Sequence, residues 1–188
     1  MIDLRENWIV SPTHFDPGIY GSEVAAILAM EGDGNRAMPL AGGPRSEQAL
    51  ARIQAAGAAR LFAQARDPEA AMAGLLVYFS CMDEAHELAQ RAEDPEHNFW
   101  HGIVHRREPD AGNASYWFRR VGAHPIFPDL REEAARLGVD FGARWDPFAF
   151  IDWCERARRR PGSPEEAGAL AVQLAEWQLL FHYCARPA

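Results

Sequence analysis

Asp94-Pro95-Glu96-His97-Asn98-Phe99-Trp100-His101-Gly102-Ile103-Val104-His105-Arg106-Arg107-Glu108-Pro109 is a helix spelled out with both of its ends. Asp94 can accept an orphan N–H at the amino terminus. Pro95 brings a preset φ to a position with no N–H bond to lose, and Glu96 suits the positive end of the helix dipole. Pro109 forbids continuation. The same punctuation recurs at Asp67-Pro68-Glu69, Asp146-Pro147 and Ser163-Pro164-Glu165-Glu166. Ser46 opens an alanine-rich run, 47–65, of high helix propensity.

Between these starts the apolar residues keep a helical period. In the last segment Leu170, Leu174, Trp177, Leu180 and Phe181 form one stripe, with Glu165, Glu166, Gln173 and Glu176 off it. Residues 69–91 read as one long helix, apolar through Leu75-Leu76-Val77-Tyr78-Phe79 and polar from Asp83 onward. Shorter helices are expected over 114–121, 128–137 and 147–160. Residues 1–45 carry Pro12, Pro17, Pro39, Pro44 and several glycines, and read as turns around one short helix near 22–30. No pair of segments alternates with period two. The expected fold is all-α: a single-domain helical bundle over 1–188, with an irregular wrap over 1–45 and the bundle over 46–188.

A chain of 188 residues can bury a core without covalent staples. Its net charge of −8 argues against a nucleic-acid surface or a polybasic membrane patch. All 19 basic residues are arginine, so Schiff-base lysines, pyridoxal-phosphate anchors and P-loop lysines are excluded. Cys81, Cys154 and Cys184 are scattered without a CxxC pair and are expected to act as small buried apolar residues in a reducing compartment. Met1 to Asn7 are charged and lack the apolar core of a signal peptide, and no apolar run reaches the length of a membrane span. A cytoplasmic location is expected, with no nucleic acid and no membrane as partner. A small polar or anionic molecule is the expected ligand, and paired apolar faces would allow a homodimer.

The opening stretch carries three of the seven histidines. At about 100° per residue, His97, His101, His105 and Glu108 fall within an arc of about 80°. Two imidazoles at i and i+4 can reach one transition-metal ion. His97 and His105 stand about 12 Å apart along the axis, too far to share one. His101 with His105 is the preferred pair, because Glu108 follows one turn later and could be fourth ligand or general base. Asp83, His86, Glu87 and Gln90 share a face of the preceding segment, and a turn near 91–94 would bring His86 toward the pair. Three imidazoles and an open position would suit one divalent ion: zinc, iron or nickel. His86-Glu87-Leu88-Ala89-Gln90 falls one residue short of HExxH, since Gln90 replaces the second histidine. The same spacing also fits a metal-free polar pocket, or histidines simply bonded to neighbouring carboxylates.

Beyond His105 the polarity stays dense. Arg106, Arg107, Asn113, Tyr116, Arg120 and His124 are candidates to line a pocket for a small anionic group, since arginine forks match carboxylates and phosphates. An internal arginine–carboxylate network explains the same residues. Asn113 is also a candidate N-cap. Trp145, Trp153, Trp177, His182 and Tyr183 read as core aromatics. The expected function is a metal-dependent hydrolase or transferase acting on a small polar molecule. The alternative is a non-enzymatic binding module with a metal-free His/Arg/Glu pocket for a small anionic ligand.

The segment from Phe99 to Asp110, followed by Asn113-Ala114-Ser115-Tyr116-Trp117-Phe118-Arg119-Arg120-Val121-Gly122 and His124-Pro125, resembles a group of uncharacterised bacterial proteins. Asp83-Glu84-Ala85-His86 and Glu176-Trp177-Gln178-Leu179-Leu180-Phe181 extend the resemblance over residues 75–184. It implies no activity. His86, His101 and His105 also resemble the ligand grammar of DinB-like helical bundles, which use one histidine plus an HxxxH pair for a divalent metal. The spacing in this chain is tighter.

Overall fold

The computed structural model describes residues 15–187, and the cap-proline starts lie where helices begin. The chain runs through α1 (Ser22–Leu28), α2 (Glu47–Ala56), α3 (Ala58–Leu61), α4 (Pro68–Tyr78), α5 (Met82–Ala89), α6 (Pro95–Arg107), α7 (Ala111–Val121), α8 (Phe127–Arg136), α9 (Pro147–Ala157) and α10 (Pro164–Ala185). No strand occurs among the described residues, so the all-α expectation holds. Asp67 accepts from the Ala70 N–H at 2.9 Å, Asp94 from His97 at 2.9 Å, and Ser163 from Glu166 at 3.1 Å. Asp146 takes two N–H groups, those of Phe148 and Ala149. Each such cap contributes about 1 kcal/mol and sets where its helix starts.

The expected long helix over 69–91 is two helices. Ser80 sits at φ 56°, the Cys81 N–H reaches back to Leu76 O at 2.9 Å, and the helix closes there as a Schellman-type end. Glycine normally marks such an end; a serine in its place gives no sequence signal. Buried Arg107 holds the break, donating to Val77 O at 2.5 Å, Ser80 Oγ at 3.0 Å, Gly42 O at 2.9 Å and Pro39 O at 3.1 Å. The run expected as helix over 47–65 is also cut, at Gly57 (φ 72°), leaving α2 and the short α3. Ser46 precedes α2 without a side-chain cap bond; its N–H instead binds Phe79 O at 3.1 Å. The expected turns and short helix of the N-terminal wrap are present from Phe15 onward; residues 1–14 lie outside the described residues.

α6 and α10 are the central helices, buried on nearly every side. α7, α5 and α4 pack on α6, while α4, α8 and α9 pack on α10. The off-stripe residues Gln173 and Glu176 of α10 are buried rather than solvent-facing, because the segment 34–39 and α6 cover them. Gln173 donates to Met38 O at 2.8 Å, and Gln178 donates to Gly34 O at 2.9 Å. Trp177 donates to Gly74 O at 2.7 Å; a Cβ on Gly74 would sit 2.8 Å from Trp100, so only glycine lets these helices meet. Two apolar clusters result: one around α1–α7 and the end of α10, the other around α8, α9 and the first half of α10. Phe127 and Leu179 touch both. Cys81, Cys154 and Cys184 are free and buried. Among the described residues no helix is long and apolar enough to cross a membrane.

Candidate metal centre

Because α5 restarts after Ser80, the direction of His86 is set by α5 alone. The turn at 90–94 then folds α6 back along α5. Gly102 permits close approach from the other side: a Cβ there would meet the Phe118 ring at 2.7 Å, so α7 lies tight on α6. His86, His101 and His105 thereby converge. One ligand atom from each lies within 4.8 Å of the others. The Nε2 atoms of His86 and His101 are 2.9 Å apart. Ring centroids are separated by 4.4 Å (86–101), 4.9 Å (101–105) and 5.2 Å (86–105). His101 is nearly parallel to His105 and to Trp117, whose ring is centred 3.8 Å away, whereas His86 stands almost perpendicular to both other imidazoles.

Burial disfavours the charged form of two of these imidazoles, His101 and His105. Burial, then the neighbouring His86 and His105, push the His101 pKa down to about 3. Burial also lowers His105, against an opposing pull from Glu108, whose Oε2 lies 2.9 Å from His105 Nδ1. His101 Nδ1 is buried without a hydrogen-bond partner. Two nitrogens each about 2.0–2.1 Å from one ion stand about 2.8–3.4 Å apart at ligand angles of 90–109°. The His86–His101 separation of 2.9 Å falls inside that range and the His105 donor lies within 4.8 Å of both, so this donor set fits a metal ion.

Glu108 does not join the group of three ligand atoms; its Oε2 lies beside His105 Nδ1. His97 belongs to a different group, with Nδ1 2.9 Å from Asp94 and 3.4 Å from Asp67. Arg106 is not in a pocket. It forms a two-pronged pair with Glu176, both side chains buried, and lies 4.5 Å from the Phe150 ring. Glu176 more than offsets the lowering by burial, so Arg106 stays charged. Arg107 is spent on backbone carbonyls and Ser80, with its pKa pushed down to about 9 by burial and by Arg106 and Arg36. The internal network therefore accounts for both, with Glu176 as the one carboxylate.

Asn113 is not the cap of α7. Asp110 is, accepting the Asn113 N–H at 3.0 Å and its side-chain amide at 2.9 Å, which starts the helix at Ala111 rather than 114. Arg120 pairs with Glu93 at 2.9 Å and lies over Trp117 and Tyr116 on the outer face of α7. His124 is buried, edge-on to Phe99 and Tyr183, and burial pushes its pKa down to about 4. Of the aromatics expected in the core, Trp145 and Trp177 are buried, and Trp153, His182 and Tyr183 are half-buried.

Trp117 and Glu176 are the side chains whose roles sequence reasoning missed. Trp117 follows His101 by sixteen positions across a turn, and Glu176 lies seventy from Arg106. Neither separation leaves a periodic mark. The glycine at 102 was the available hint that α7 approaches α6 closely. No protein-family model matches the chain, and no curated protein or solved structure does either.

Proposed function

We propose that the chain is a metal-dependent hydrolase or transferase for a small polar molecule, with His86, His101 and His105 holding one divalent ion: zinc, iron or nickel. The convergence of three imidazoles carries this reading. A bound ion would supply Lewis acidity toward a substrate oxygen. The chain's own residues do the rest. Glu108 Oε2, 2.9 Å from His105 Nδ1, is placed to orient that ring, as carboxylates beside metal-bound histidines do. Trp117 covers one side of His101 and narrows water's access to it.

Protein prepared without a histidine tag is expected to carry, or to take up from zinc, iron or nickel, close to one equivalent of metal. Substoichiometric metal that no addition raises would overturn the reading. Hydrolysis of small esters or amides that a chelator abolishes and metal restores would support the enzyme. Metal without such turnover would leave a binding centre. The 2.9 Å contact between His86 and His101 also equals an N–H···N hydrogen bond, which favours the metal-free ligand pocket as second reading. The same elemental analysis separates the two.

A further inference from the structure

The arginines of this chain are mostly committed to carboxylates: Arg36, Arg60, Arg91 and Arg106 each hold one, and Arg45 holds two. Around the junction of α7, α8 and the 138–147 loop the pattern breaks. Arg119 and Arg144 make no ion pair or hydrogen bond among the described residues, and Arg131 bonds only Gly142 O. These three line a pair of adjoining cavities of about 430 and 670 Å³ that share Arg144, Phe127 and Trp145. Phe141 and the exposed Phe148 extend the aromatic wall of the larger cavity. The acids there are Glu132 and Asp146, and Asp146 already caps α9.

Two further features mark the smaller cavity as more than a surface dent. Trp145 and His124 both line it, both are buried, and each keeps a ring nitrogen without a partner: Nε1 of Trp145 and Nε2 of His124. Buried polar groups without partners are uncommon and need an explanation. Three arginines also gather there without a carboxylate partner among the described residues, although the protein, at net charge −8, carries carboxylates in excess. Aromatic walls with a few convergent polar groups are the composition of small-molecule pockets.

We infer that this cleft binds a small planar aromatic anion, with the ring between Trp145 and Phe127 and the anionic group on Arg144 and Arg131. Guanidinium forks recognise a carboxylate or sulfonate in the plane, and the aromatic side chains cover the ring faces. A volume near 430 Å³ lies at the small end of ligand pockets, which suits one or two fused rings. The site uses none of the three clustered histidines, so it stands independently of the metal reading.

Calorimetric titration with 2-naphthoate tests it, with 2-naphthalenemethanol as the uncharged probe of the same shape. The anion is expected to bind about tenfold or more tightly than the alcohol, and Arg144→Gln is expected to remove that preference. Arg144 is exposed and unpaired, so its replacement leaves folding intact, which an unchanged thermal midpoint checks. Trp145→Phe, which shrinks the aromatic wall and deletes the N–H, should weaken both probes. His101→Ala should change neither. Equal affinity for anion and alcohol, undiminished anion binding in Arg144→Gln, or no heat from 2-naphthoate at millimolar concentration would each overturn the inference.

Discussion

Among the described residues, His86–His101–His105 and Asp67–Asp94–His97 each bring three metal-competent side chains within 4.8 Å of one another, and they differ in what those atoms already do. Asp67 and Asp94 cap α4 and α6, and their remaining oxygens face His97 Nδ1. Burial raises the Asp94 carboxyl, but bonds from the backbone and ring of His97 outweigh it and hold the pKa below its ordinary value. That group is closed: its geometry is explained by two helix starts and a histidine joining them. The imidazole group has no carboxylate among its three members and a single hydrogen-bond contact between its rings, while each group leaves a buried ring nitrogen without a partner, on His101 and on His97. Proximity of ligand atoms therefore says little until the bonds they already make are subtracted.

The largest effect that would break this contrast is on metal affinity. His86→Ala, His101→Ala and His105→Ala should each lower it by about 100-fold or more, read by competition with a chromophoric chelator. His97→Ala should leave it unchanged. A strong loss in His97→Ala, or none in His101→Ala, would reverse the assignment of the two groups.

Acid stability extends the comparison to a histidine with no carboxylate at all. His124 titrates near 4 when folded, against about 6.5 unfolded. The unfolded chain thus binds the proton first, so stability is complete above about pH 6.5 and falls as pH drops toward 4, by about 2 kcal/mol at pH 5. Denaturant midpoints across pH 5–8 should show at least this slope, and His124→Phe should make it shallower, leaving the part that His101 contributes.

Glu108→Gln is expected to cost about tenfold in metal affinity, because it weakens the partner of His105 without deleting a ligand. A loss as large as that of His105→Ala would make Glu108 a ligand instead. The smallest effect belongs to the closed group. Asp94→Ala should cost about 1 kcal/mol as a lost cap, lowering the melting midpoint by about 2–4 °C with metal content unaltered. Asp94→Asn keeps a capping oxygen and should recover most of that loss.

Much of the helix layout was legible because its signals are local. An aspartate or serine followed by proline acts within one turn, and it placed the starts of α4, α6, α9 and α10. The break between α4 and α5 was not legible: a serine at positive φ is held there by Arg107, twenty-seven residues further on. Arg106 and Arg107 are adjacent in sequence and equally buried, yet one binds a carboxylate on α10 and the other binds carbonyls. No pattern in a single chain distinguishes them, since each outcome depends on what a distant segment presents.

The sequence by itself determined the fold class, the starts of α4, α6, α9 and α10 and the arc shared by His101 and His105, because 3.6-residue periodicity and capping chemistry are properties of neighbouring residues. Tertiary structure alone decided that Trp117 lies on His101, that Glu176 neutralises Arg106, and that three arginines without a carboxylate partner meet an aromatic cleft. The physical reason is that these contacts arise from helices packed at distances a glycine sets, as at Gly102 and Gly74, and packing joins residues whose separation along the chain carries no periodic trace.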